Sequence, residues 1–141
     1  MEELILNLKV RDMMTTRMVA ATREYNARDA AVLLQSGRFS GIPILDPGNT
    51  LVGIVTEFDV LKAMLDGKDL HTLKAEDIMS SNPISIDEHQ TAKEAMTLMI
   101  SHRIIRLPVV RDGKLIGLIA RIDIIDRLVD PHLVNVYGGS A

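Results

Sequence analysis

The residues best placed to do chemistry are Thr56 and Asp59, three positions apart in the run Thr56-Glu57-Phe58-Asp59. A hydroxyl and a carboxylate at this spacing, where an apolar run gives way to a helix, form a capping pair. The same two groups can also serve a ligand. A carboxylate accepts charge-assisted hydrogen bonds from hydroxyls, and a helix N-terminus with a nearby hydroxyl can meet a phosphate. Sixty-four residues later, Ala120-Arg121-Ile122-Asp123 keeps the aspartate and loses the hydroxyl. An aspartate in the first turn of a helix is favourable by about 0.3–1 kcal/mol with no ligand at all, so these residues leave both readings open.

Arginine supplies the second chemistry. Arg103, Arg106, Arg111 and Arg121 stand where the first half of the chain has Arg38, Gly41, Asp46 and Glu57. Guanidinium forks bind phosphate directionally, although a solvated surface accounts for any one arginine alone. Together they imply a basic cleft mouth, with Arg106 and Arg121 as the leading phosphate ligands. Glu57, beside Thr56, would repel a polyphosphate, so two unequal sites are expected. His71, His89, His102 and His132 lack metal-ligand spacing, and cysteine is absent. No glycine-rich phosphate loop and no nucleophile elbow occurs. No catalytic residue and no metal site is expected.

These residues belong to elements that occur twice. Asp12, Met14 and Thr15 are matched by Asp77, Met79 and Ser80 at an offset of 65, as are Ala27, Leu33, Arg38 and Pro43 by Ala92, Leu98, Arg103 and Pro108. One residue is lost in a Gly/Pro turn, and Leu51, Gly53 and Asp59 then match Leu115, Gly117 and Asp123 at an offset of 64. Each copy predicts a brief strand (near Val19–Ala21 and Ile84–Ile86) and a helix opened by Asn26 or Thr91. A hairpin follows (Ile42–Leu45 with Leu51–Val55; Leu107–Val110 with Leu115–Ile119), then a helix over Glu57–Leu65 or Arg121–Val129. The order is β-α-β-β-α, with the first two strands of each copy parallel. Residues 2–14 read as an opening helix with Leu4, Ile5, Leu8 and Val10 as apolar contacts. Gly37 reads as a helix stop, and the eight methionines as core filling. The copies divide at 1–70 and 71–131, with residues 132–141 a loosely held tail.

The chain has 141 residues, 47% of them hydrophobic, 25% charged and 3% aromatic, which describes a globular domain built on aliphatic packing. Its net charge of −3 gives no global attraction to nucleic acid. Met-Glu-Glu-Leu has no signal-peptide character, and no apolar run reaches membrane-spanning length. A cytoplasmic protein without membrane contact is expected.

The pattern Asp-x-Met-Thr/Ser, then Gly41-Ile42-Pro43-Ile44-Leu45-Asp46, then Val52-Gly53-Ile54-Val55-Thr56 with Asp59, resembles a cystathionine-β-synthase (CBS) domain. The second copy carries Asp77-Ile78-Met79-Ser80, Arg106-Leu107-Pro108-Val109-Val110 and Ile116-Gly117-Leu118-Ile119 with Asp123, so the resemblance covers about residues 10–130. It implies an α/β (α+β) fold of two β-α-β-β-α repeats with pseudo-two-fold symmetry, commonly a homodimer. Such pairs are regulatory and need no cofactor. They bind AMP, ADP, ATP or S-adenosylmethionine between the repeats and act on an enzyme or transporter. The resemblance implies ribose and phosphate contacts from Thr56, Asp59, Arg103, Arg106, Arg121 and Asp123. It implies an adenine pocket from Val19, Ala20, Ile42, Pro43, Ser80, Ile84, Ser85, Leu107 and Pro108. A ligand-independent dimerisation module is the alternative; nucleic-acid binding through the arginine-rich copy ranks below both.

Overall fold

The computed structural model describes residues 2–128. A helix, α1 (Glu2–Leu6), and a 3-10 turn (Val10–Asp12) lead into the first unit. That unit comprises β1 (Ala21–Thr22), α2 (Ala27–Gln35), β2 (Gly41–Asp46), β3 (Thr50–Thr56) and α3 (Glu57–Leu65). A 3-10 turn (Leu70–Thr72), α4 (Ala75–Ile78) and β4 (Ser80–Ser81) lead into the second. It comprises β5 (Ile86–Asp87), α5 (Ala92–His102), β6 (Arg106–Arg111), β7 (Lys114–Ala120) and α6 (Arg121–Ile125), followed by a 3-10 turn (Asp126–Leu128). The tail at 132–141 and the end of the last expected helix at Val129 lie outside the described residues.

Local chemistry explains most of these boundaries. The Asn26 side chain accepts hydrogen bonds from the Arg28 and Asp29 N–H groups, and Thr91 forms a reciprocal capping box with Glu94. Both hairpins turn through left-handed residues, Gly48 and Asn49 in the first, Asp112 and Gly113 in the second. Each hairpin is antiparallel, and each short strand before it runs parallel to the hairpin's first strand. The strands form one sheet in the order β1-β2-β3-β7-β6-β5, with β4 also on β3.

Several local expectations change. The opening helix stops at Leu6, because the Leu8 carbonyl accepts the Ala92 N–H and Lys9 bridges to Thr91, so distant pairing claims the backbone. Leu4 is exposed rather than an apolar contact, while Ile5 and Val10 are buried. The first strands sit later than expected, since pairing begins at Ala21↔Ile44 and Ile86↔Val109. The last helix tightens to 3-10 geometry after Ile125. Not every methionine fills a core: Met13 and Met99 do, whereas Met64 is exposed.

Two cores result, and the segment preceding each unit packs in the other unit's core. Val10 and Met13 pack with Ile86, Ala92, Leu107 and Ile119, while Ala75 and Ile78 pack with Ala27, Ile42 and Val55. The backbone bridges show the same exchange. Lys9 pairs with Thr91 and Asn26 with Lys74; Thr15 pairs with Leu118 and Ser80 with Ile54. Each pair maps onto its twin by the offsets of the sequence repeat. Gly53 and Gly117 permit these crossings. A β-carbon on Gly53 would lie 2.3 Å from Met79 Sδ and 3.0 Å from the Ser80 carbonyl oxygen. On Gly117 it would lie 2.7 Å from Met14 Sδ and 2.9 Å from the Thr15 carbonyl oxygen.

Candidate functional site

The exchange of leading segments brings the N-terminus of α3 against two loops of the second unit. Between them lies a cleft of about 600 Å³, within the range of small-molecule sites. One wall is Ser40, Ile54, Thr56, Glu57, Phe58 and Leu61; the facing wall is residues 80–84 with Arg103–Arg106 and Pro108. Ile54, Ile84, Ile104 and Ile105 give it apolar surface, and Thr56, Ser80 and Ser81 give it hydroxyls. Its charged residues are Glu57, Arg103 and Arg106, all exposed. Among the described residues the ion pairs lie elsewhere, so these three charges are not spent on one another.

The Thr56–Asp59 pair is a cap whose carboxylate also reaches a cleft-lining residue. Asp59 Oδ2 accepts from the Thr56 N–H at 2.8 Å and from the Thr56 hydroxyl at 3.0 Å. Asp59 Oδ1 accepts from the Ser80 hydroxyl at 2.7 Å, across the boundary between the units. In the second unit the Ala120 N–H donates to Asp123 Oδ2 at 2.7 Å. No donor to Asp123 Oδ1 is found among the described residues; Thr15, the counterpart of Ser80, accepts from the Arg17 N–H at 3.2 Å. The two aspartates thus share a backbone role and differ in their outer oxygen.

Of the expected site residues, the cleft gathers Thr56, Ser80, Ile84, Arg103, Arg106 and Pro108. Asp59 stands behind Thr56. Arg121 and Asp123 begin α6, beyond the loop that faces the cleft, where the Arg121 N–H donates to the Ile105 carbonyl. Arg106 is therefore grouped with Glu57 and Arg103, and is not grouped with Arg121. Ile42, Pro43 and Leu107 are fully buried, and Ser85 is half-buried. Val19 is exposed, and Ala20 lines a separate cavity of about 520 Å³ beside Arg23 and Asp46. Arg111, grouped with the cleft arginines from sequence, lies at the far end of β6 in a bidentate pair with Glu88. The histidines join no cluster that could hold a metal among the described residues; His132 lies outside them.

Ser40, Ile54, Glu57, Phe58, Leu61, residues 81–83, Ile104 and Ile105 complete the cleft and are not among the ligand contacts expected from sequence. Elsewhere, the Arg23 guanidinium bonded to Asp46 holds that carboxyl below the usual range, and Arg111 does the same to Glu88.

Sequence and fold comparisons agree with this architecture. The CBS-domain family profile matches residues 10–66 and 75–130. The uncharacterized protein YlbB of Bacillus subtilis is 35% identical over 112 residues, covering 79% of this chain and 76% of its own. The structure of CBSX2 in complex with AMP superposes with a TM-score of 0.74 at 28% identity, covering 86% of this chain and 96% of its own. The CBS domain pair of protein MJ0100, in complex with 5-methylthioadenosine and S-adenosyl-L-methionine, gives 0.72 at 28% identity, with 86% and 95% covered. The chain belongs to the CBS-domain family and carries the domain twice.

Proposed function

We propose that this chain is a regulatory module, not an enzyme, that binds an adenosine-bearing ligand between its repeats and couples occupancy to a partner protein. The observation that carries the reading is the cleft. It joins apolar walls for a base, a capped helix N-terminus with a threonine hydroxyl, and two arginines that have no ion-pair partner among the described residues, contributed from opposite repeats. The AMP complex of CBSX2 and the S-adenosylmethionine complex of the MJ0100 pair support the same ligand class.

In this reading Ile54, Ile84 and Pro108 flank the adenine, Asp59 Oδ1 accepts from a ribose hydroxyl, and Thr56 with the α3 N-terminus meets the first phosphate. Arg103 and Arg106 hold the anionic tail, and Glu57 disfavours a triphosphate. Arg121 and Asp123 act in the symmetry-related site with Thr15, Val19 and Arg38, where no carboxylate takes the place of Glu57. AMP suits the described cleft; ADP and ATP suit its counterpart. Because each site is built from both repeats, a ligand that favours one arrangement of them shifts that population. The output is an enzyme or transporter in the cytoplasm.

The chain acts as a homodimer in this reading. Phe58 and Leu65 on α3 are 82% and 88% exposed, and Ile122 and Ile125 on α6 add apolar surface. Sedimentation should show Leu65→Glu as a folded monomer at concentrations where the unmodified chain is dimeric; an unchanged dimer removes this face. The same surface favours a second reading, a ligand-independent interaction module, in which Asp59 is committed to Thr56 and Ser80. A thermal-shift panel of AMP, ADP, ATP and S-adenosylmethionine separates the two. Ligand at 100 times its dissociation constant adds about 2.7 kcal/mol, whereas no shift with any of them supports the second reading.

A further inference from the structure

The two units carry the same ion pair with its charges exchanged. Beyond the parallel pairs Ala21↔Ile44 and Thr22↔Leu45, Arg23 meets Asp46 through its Nε and Nη2 atoms. Beyond Ile86↔Val109 and Asp87↔Val110, Glu88 meets Arg111 through the same two guanidinium atoms. Arg23 corresponds to Glu88 and Asp46 to Arg111 at the repeat offset of 65. The short strand is positive and its hairpin negative in the first unit; the second unit reverses both.

We propose that this reversal is a recognition device that assigns each short strand to its own hairpin. The need for one follows from the topology. Thr15 is already paired to Leu118 on β7, six residues before β1 begins. Ser80 is likewise paired to Ile54 on β3, six residues before β5. Each short strand is therefore delivered from beside the other unit's hairpin. Each pairs through only two residues, so ladder bonds alone discriminate little between two hairpins of the same design.

The charges discriminate in every combination. The two native assignments set a guanidinium against a carboxylate. The two exchanged assignments set Arg23 against Arg111 and Glu88 against Asp46. Glu88 sharpens the choice because its side chain is only 6% exposed, against 35% for both members of the first pair. A carboxylate so placed tolerates a fork of donors and rejects a second carboxylate. The same rule operates between molecules, where a strand from one copy could dock on the hairpin of another.

The test makes the two units alike. Arg23→Glu with Asp46→Arg keeps an oppositely charged pair in each unit but gives both the polarity of the second. The expected result is a folded protein whose native yield after refolding from urea falls by at least about twofold, with misassembled or strand-exchanged species on size exclusion. Adding Glu88→Arg and Arg111→Glu reverses the second unit as well and should restore the wild-type yield. Wild-type refolding by the double variant overturns the proposal, and so does a fourfold variant that refolds no better than the double one. If the double variant fails to fold at all, recovery in the fourfold variant supports the proposal and its failure to recover overturns it.

Discussion

Arg103 closes α5 with φ 53° and ψ 47°, whereas the left-handed residue after α2 is Gly37 at φ 77°, one position earlier in the repeat register. Holding a β-carbon in that left-handed region costs about 1–2 kcal/mol. The arginine side chain lines the cleft, so a strained backbone position coincides with the proposed anion contact. Arg103→Gly should therefore raise stability toward urea by about 1 kcal/mol and weaken binding of AMP. Lower stability in that variant would show that packing of the arginine outweighs its strain. Thr56 and Asp59 were legible because a capping pair has a fixed spacing, and the structure shows one carboxylate serving both the cap and Ser80. The grouping of the arginines was not legible. Spacing reveals which residues correspond between copies, but not that a cleft takes its helix from one copy and its loops from the other.

The hairpins and α3 follow from local signals: apolar runs of strand length, turn residues that accept positive φ, and a threonine cap. The crossings of residues 9–15 and 74–80 have no such signature. They depend on backbone pairs such as Lys9↔Thr91, which form only when both units are present. The trace they leave in the sequence is the glycine in each third strand. Gly117→Ala should drive a β-carbon into Met14 and the Thr15 carbonyl, and Gly53→Ala into Met79 and the Ser80 carbonyl. Each is expected to lower stability by about 1–3 kcal/mol in urea denaturation. Stability unchanged in both would mean that the crossings yield more easily than the geometry indicates.

The two units form a molecule whose stability depends on pH in a defined direction. Hydrogen bonds from Arg23 and Arg111 hold the Asp46 and Glu88 carboxyls below their ordinary values. As pH falls through the ordinary carboxylate range, the unfolded chain binds these protons before the folded one does. The stabilisation is therefore complete above that range and is lost as pH falls through the folded-state values. The urea midpoint should decline on acidification, and Glu88→Gln should make that acid limb shallower. A parallel acid limb in the variant would remove Glu88 as a source. The whole-molecule symmetry was legible from one repeat offset and one gap, and the charge-reversed clamps were written in the same alignment. Their pairing became visible only when β1 and β5 were placed on their hairpins.

In the proposed function an adenosine-bearing ligand occupies the space between the repeats. Calorimetric titration of the intact chain with AMP tests it most directly, alongside Arg106→Ala for the described cleft and Asp123→Asn for its counterpart. The expected result is saturable binding whose stoichiometry or affinity falls in Arg106→Ala. Asp123→Asn should leave the AMP sites at the described cleft intact and weaken the binding of ATP. Absence of heat with AMP, ATP and S-adenosylmethionine alike, or binding that neither substitution alters, would rule out a ligand site between the repeats.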